Sequence, residues 1–121
     1  MIKVLLVDDN KAIRQRIKMA LSGYSHIQVA GECNDGNEVL GFLKNNEVDV
    51  ILMDFRMKYM NGIEATKLVT ENYPSVKVIG FSLYDEEMIK KKMFKTGAVD
   101  YLLKEAEIEE IISAINKQVD S

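Results

Sequence analysis

Five apolar runs alternate with amphipathic segments along this chain, and that rhythm excludes most architectures. The runs are Ile2–Val7, Ile27–Gly31, Val48–Met53, Val76–Phe81 and Val99–Leu103. Most hold apolar residues in near-continuous succession, as strands covered on both faces do. The second is less apolar and reads as an edge strand. Between the runs, apolar residues return with helical spacing. Ile13, Ile17, Ala20 and Leu21 form one stripe. Ile108, Ile111, Ile112, Ile115 and Val119 form another, with Glu109, Glu110, Asn116 and Lys117 on other faces. Strand and helix alternating in this way predict an α/β sandwich with a parallel sheet and right-handed crossovers.

Local signals agree with that alternation. Asp35 and Asp85 stand where helix N-caps are expected, and Gly97 where a helix-ending glycine belongs. Pro74, the one proline, follows a helical stretch and precedes a strand, so it interrupts nothing. Asn61-Gly62 would signal a hairpin in an all-β chain. Here a helical segment follows, and the pair reads as a strand-to-helix loop. No internal repeat, low-complexity tract or linker breaks the 121 residues, which predict one domain over 1–121. The last helix is expected to run almost to Ser121.

Composition narrows the class. Hydrophobic residues make up 47% of the chain, an ordinary globular share. A chain of this size folds without disulfides or structural metal. The single Cys33 has no internal partner and points to a reducing compartment. No apolar stretch approaches the roughly 20 residues of a membrane span. The first residues lead straight into a strand, which predicts no signal peptide and a cytoplasmic location without membrane association. A formal charge of −3 argues against direct electrostatic binding of nucleic acid by this segment.

In open parallel sheets, function gathers outside the carboxyl ends of the strands. The first run ends in Asp8 and Asp9, the third in Asp54, the fourth in Ser82 and the fifth in Lys104. The second ends in nothing comparable. Carboxylates crowded together repel, so a stable cluster implies a bound cation or shifted pKa values. Oxygen ligands completed by water suit Mg²⁺. A lysine and a hydroxyl suit anionic oxygens. Together these groups fit a phosphoryl group, whose charge must be neutralised and whose oxygens must be held. A carboxylate among them can itself act as nucleophile and form an acyl phosphate.

Several segments carry a family likeness: Val4-Leu5-Leu6-Val7-Asp8-Asp9, Met53-Asp54-Phe55-Arg56-Met57 with Met60-Asn61-Gly62, Ser82, and Tyr101-Leu102-Leu103-Lys104. In this order at strand ends they resemble the receiver domain of two-component response regulators, over essentially the whole chain. Ser82-Leu83-Tyr84-Asp85-Glu86-Glu87, Tyr101 to Ala106 and Gly62-Ile63-Glu64-Ala65-Thr66 are similar to receivers of the NarL/LuxR type. The resemblance implies a flavodoxin-like (CheY-like) fold, a five-stranded parallel sheet of order 2-1-3-4-5 with five helices in three layers. It implies that Asp54 is the phosphoacceptor, charged by a cognate histidine kinase or phosphotransfer protein. Asp9, Asp54 and the backbone carbonyl of Arg56 would bind Mg²⁺, with Asp8 helping mainly through water and Mn²⁺ able to substitute. Lys104 would pair with Asp54 and then with the phosphoryl oxygens. Ser82 would hydrogen-bond the phosphoryl group, and Tyr101 would be the switch aromatic.

Such receivers usually precede a helix-turn-helix DNA-binding domain, and this chain contains none. The resemblance therefore implies the N-terminal part of a transcriptional regulator, and leaves open whether phosphorylation acts through a homodimer or by releasing a downstream domain. A stand-alone regulator or adaptor would look much the same. Two departures from the family pattern stand out. Glu105 occupies the position of a proline that in many receivers follows a cis bond, which leaves the isomer of the Lys104–Glu105 bond open. Lys58 replaces the proline of a common Met-Pro pair, which predicts a more mobile loop after Asp54. Arg56 and Tyr84, two positions beyond Asp54 and Ser82, are expected to flank the path of attacking water and tune phosphoryl lifetime.

Other classes fit less well. Haloacid-dehalogenase-like phosphatases place an Asp-x-Asp nucleophile after the first strand, whereas this first strand ends in adjacent acids and the isolated Asp54 follows the third. A flavodoxin-like cofactor binder needs a phosphate-cradling loop after the first strand, where Asp8-Asp9-Asn10 would repel phosphate without a metal. The expected role is thus a phosphoacceptor signalling domain, not an enzyme on an external substrate. Tyr101 also suits plain strand packing. His26 reads as a surface residue, Cys33 as a semi-buried small residue, and Lys90-Lys91-Lys92 as a solvated helical face. The methionines read as core filler, with Met88 and Met93 as candidate partner contacts.

Overall fold

The computed structural model describes residues 1–119. Its strands are β1 (Ile2–Val7), β2 (Ile27–Cys33), β3 (Val50–Met53), β4 (Lys77–Ser82) and β5 (Asp100–Leu103). The helices are α1 (Lys11–Leu21), α2 (Val39–Asn45), α3 (Gly62–Asn72), α4 (Glu87–Thr96) and α5 (Ile108–Val119), with a short 3₁₀ turn, Gly36–Glu38, leading into α2. The strands form one parallel sheet in the order β2-β1-β3-β4-β5, with β2 at an edge. The course of the last helix beyond Val119 lies outside the described residues.

The period of two along each strand divides the core. Val4 and Leu6 of β1, Val50 and Leu52 of β3, and Ile79 and Phe81 of β4 pack with Ile17 and Leu21 of α1 and Ile111, Ile112 and Ile115 of α5. The alternate residues Leu5, Val7, Ile51, Met53 and Val78 pack with Val39 and Leu43 of α2, Ala65 and Val69 of α3, and Ile89 and Met93 of α4. Both faces of the central strands are therefore dry, which is why their sequences are continuously apolar. Each fully buried aliphatic side chain contributes roughly 1.5–3 kcal/mol.

The observed boundaries differ from the expected ones at identifiable places. β2 continues past Gly31 to Cys33, after a shift of register between Val4 and Leu5 of β1. Glu32 is tolerated there because Arg14 and Lys18 of α1 face it. β3 starts at Val50, not Val48, because the Asp49 carboxylate accepts the Lys3 N–H at 2.8 Å and so replaces a ladder bond. Asp85 does not cap α4. Glu86 holds the N-cap position, and its side chain makes no capping bond. Gly97 ends that helix as expected, with φ of 121° in the region that favours glycine. Asn61 caps α3 by accepting from Glu64 N. Met93 is buried in the core and cannot be a partner contact, whereas Met88 is exposed. Val119, assigned to the apolar stripe of α5, is also exposed.

Candidate functional site

Register builds the site. Val7 of β1 lies beside Met53 of β3, so the residues that follow each, Asp8 and Asp54, leave the sheet side by side. The Asp54 N–H donates to Val7 O at 2.9 Å, which holds that alignment one step past the strands. On the other side Ser82 lies beside Leu103, and the Lys104 N–H donates to Ser82 O at 2.7 Å. Topology thus converts four separate strand ends into one row of polar groups.

Lys104 Nζ closes the row. It lies 2.7 Å from Asp8 Oδ2 and 3.0 Å from Asp54 Oδ1. Asp8, Asp54 and Lys104 are all at least 95% buried. Asp8 Oδ1 accepts the Asn10 N–H at 2.9 Å. Asp8 Oδ2 has no directed hydrogen bond, and the ammonium meets it as an ion contact only. Asp9 stands exposed at the mouth, and one oxygen from each of Asp8, Asp9 and Asp54 lies within 4.8 Å of the others. Three carboxylates facing one ammonium leave an excess of negative charge. Burial first, and then the Asp8 charge, push the Asp54 carboxyl up to about 6, against the lowering effect of Lys104. Hard oxygen donors, surplus negative charge and an under-bonded buried oxygen together suit a divalent cation.

A cleft of about 170 Å³ opens over these groups, lined by Asp9, Asp54, Arg56, Ser82, Tyr84 and Lys104 among others. Its walls are two loops. On one side Gly62 comes so close to Asp54 O that a Cβ would collide with it, and the Gly62 N–H donates to Phe55 O at 2.8 Å. On the other, Ser82 Oγ accepts the Tyr84 N–H at 3.3 Å, and Tyr101 Oη donates to Tyr84 O at 3.2 Å. Arg56 reaches across to Glu86 at 3.3 Å. Every residue assigned to the site from sequence therefore borders the cleft or touches a residue that does.

A response regulator receiver domain profile matches residues 4–116. The chain belongs to that family. Among curated relatives, the response regulator UvrY of Escherichia coli K12 is 37% identical over 95% of this chain and 53% of its own length. The transcriptional regulatory protein DegU of Brevibacillus brevis is 35% identical over 94% of this chain and 48% of its own. The receiver thus spans about half the length of these relatives. Among solved structures, the signal receiver domain of a response regulator designated NarL from Mycobacterium tuberculosis has a TM-score of 0.88. It is 30% identical, covering 96% of this chain and 94% of that one. Phosphorylation-activated signalling is the general function of this domain, and its members typically bind Mg²⁺ at the acidic pocket. Receiver domains work with histidine kinases and other phosphodonors.

The receiver also uses residues that sequence reading did not assign. Arg14 of α1 bonds the Asp8 carbonyl, Asn34 Oδ1 and Glu32, the last at 2.9 Å. The Arg14 hydrogen bond is the main reason the Glu32 carboxyl lies below its ordinary range. Arg16 Nη2 donates to Lys104 O at 2.6 Å, across 88 positions of chain. The Lys104–Glu105 bond is trans. Asp35, read only as a cap, also bonds the loop after Asp54. No local pattern marks these contacts, because each joins elements brought together only by the fold. Cys33 is fully buried, more so than expected, and burial pushes its thiol up to about 12, which keeps it unreactive. His26 is exposed and bonded to Asn116 at 2.9 Å. No helix among the described residues is long and apolar enough to cross a membrane.

Proposed function

We propose that this receiver takes a phosphoryl group on Asp54 and uses Ser82, Lys104 and Tyr101 to convert it into a change of surface. The observation that carries this reading is Lys104 Nζ held between Asp8 and Asp54 at the floor of an open cleft. An Asp54 oxygen attacks the phosphorus of a phosphohistidine on a kinase or phosphotransfer protein. The new P–O bond forms as the P–N bond breaks, and the departing imidazole nitrogen takes a proton from solvent. Asp9, Asp54 and the Arg56 carbonyl would hold Mg²⁺, with Asp8 acting through water. The ion would neutralise charge on the phosphoryl oxygens. Mn²⁺ would fill the same oxygen set.

Lys104 then transfers its bond from Asp54 to a phosphoryl oxygen. Ser82 Oγ, which now accepts from Tyr84, donates its own proton to another. That movement draws in the loop whose Tyr84 carbonyl holds Tyr101 Oη, so the tyrosine turns with it. The altered face around Tyr101 would favour a homodimer or release an attached helix-turn-helix domain, in a cytoplasmic transcriptional regulator of the NarL/LuxR type. The isolated receiver would not itself bind nucleic acid.

Acetyl phosphate with Mg²⁺ tests the reading, followed by intact mass for wild type and Asp54→Asn. One added phosphoryl group, lost with chelator and in the variant, is the expected result. A wild type that binds Mg²⁺ yet gains no mass, even from a histidine kinase, would overturn it.

A further inference from the structure

Asp35 lies between β2 and the 3₁₀ turn and is 3% exposed. A buried carboxylate must be paired or fully hydrogen-bonded to be tolerated. Among the described residues no cation pairs with Asp35, and backbone N–H groups take that role. Asn37 N donates to Oδ1 at 3.1 Å, the ordinary bond of a cap. Two further bonds are not needed for capping. Tyr59 N donates to Oδ2 at 2.8 Å and Met60 N to Oδ1 at 2.9 Å, from a loop 24 and 25 residues away. Burial would raise the Asp35 carboxyl, but these donors prevail and keep it below its ordinary range. The two segments abut closely: a Cβ on Gly36 would lie 2.6 Å from Met60 O.

The loop so held begins at Asp54 and contains Arg56. It has no proline to restrict it, since Lys58 and Tyr59 separate Met57 from Met60. We propose that Asp35 is a positioning residue for the phosphorylation site, fixing the Phe55–Met60 backbone so that the Arg56 carbonyl stays available beside Asp9 and Asp54. The inference rests on the function proposed above. Asp35 touches neither the cation nor the phosphoryl group. It acts by sparing the loop an ordering cost that would otherwise fall on ligand binding.

The test compares wild type, Asp35→Ala and Asp35→Asn by Mg²⁺ titration of backbone amide NMR shifts, amide exchange and acetyl phosphate uptake. In Asp35→Ala the Tyr59 and Met60 amides should exchange faster, while those of Ile79 and Ile111 keep their protection. Its Mg²⁺ Kd should rise about tenfold, the lower end of what outer-shell changes produce. Phosphorylation should slow at low Mg²⁺ and recover at saturating Mg²⁺, because the reacting groups are intact. Asp35→Asn keeps one acceptor oxygen and should recover part of the affinity. A folded Asp35→Ala with faster loop exchange and a Kd within about twofold of wild type would overturn the proposal. Should Asp35→Ala not fold, Asp35→Asn decides: a Kd raised about threefold supports it and an unchanged Kd overturns it. If wild type takes no phosphoryl group, the proposed function fails, while the Mg²⁺ titrations still decide the role of Asp35.

Discussion

The two loops that wall the cleft are tied down in opposite ways. The connection after β3 is held by buried groups: the Asp35 carboxylate on Tyr59 and Met60, and Gly62 pressed against Asp54 O. The connection after β4 presents exposed Leu83 and Tyr84 to solvent. Its ties are a 3.3 Å bond from Tyr84 N to Ser82 Oγ, a 3.2 Å bond from Tyr101 to Tyr84 O, and an exposed ion pair from Arg56 to Glu86. Long or solvent-exposed contacts contribute little and break cheaply. In the proposed function, the side that would bind is thus preorganised, and the side that would report is left free to rearrange. The proline missing at Lys58 predicts a looser loop after Asp54, but Asp35 supplies the restraint from a distance.

This contrast can be attacked first where it is strongest. Gly62→Ala forces a Cβ into the Asp54 carbonyl, which as backbone cannot yield. Urea unfolding should show a loss of about 3 kcal/mol, the upper end of what overpacking usually costs. A loss near zero would mean that the loop after β3 is as pliable as its counterpart.

Asp54→Asn probes the floor between the loops. With its folded pKa pushed up to about 6, Asp54 keeps in the native state a proton that the unfolded chain releases near pH 4. Metal-free stability should therefore fall as pH rises from about 4 to 6. Asp54→Asn removes that penalty and should be more stable than wild type by about 2 kcal/mol at pH 7 in chelator, allowing for partial solvent screening. The gain should vanish below about pH 4. Mg²⁺ should stabilise wild type more than the variant, which keeps Asp8 and Asp9 but lacks one anionic ligand. Chelator-buffered urea melts at both pH values, repeated with Mg²⁺, measure all three effects.

Smaller effects belong to the loop after β4. Tyr101→Phe deletes the Tyr84 bond and should cost about 0.5–1 kcal/mol. Amide exchange at Leu83 to Glu86 should rise while Tyr59 and Met60 are unaffected, which would sharpen the division between the loops. Replacing Arg56 and Tyr84 together by alanine should change the rate of phosphoryl loss severalfold, read by intact mass over time. The same pair should shift stability by no more than about 1 kcal/mol, since the Arg56–Glu86 pair is exposed.

Much of this molecule is legible locally. β1 runs over the expected Ile2–Val7, and Asp8 and Asp54 follow directly on the apolar runs of β1 and β3, as the residue order shows. Gly97 ends α4 and Asn61 opens α3 through side-chain and backbone preferences that act within a few residues. Two of the readings that needed correction lie on α4. Asp85 is the better cap by residue type, yet α4 begins one residue later with Glu86 at the cap position, and Met88 and Met93 are equally apolar on one helix. Which of the two methionines faces the core depends on how α4 rotates against Ile89 and the sheet.

By itself the amino-acid sequence determined the kinds of element, their order and the chemistry placed at each strand end, because hydrophobic period and residue type are local properties. Only the tertiary structure decided that Arg16 would hold the carbonyl of Lys104, that Arg14 would brace Asp8, and that a carboxylate at position 35 would restrain the loop after position 54. Those bonds join residues 6 to 88 positions apart, and a hydrogen bond of 3 Å leaves no trace in sequence until packing has brought its two ends together.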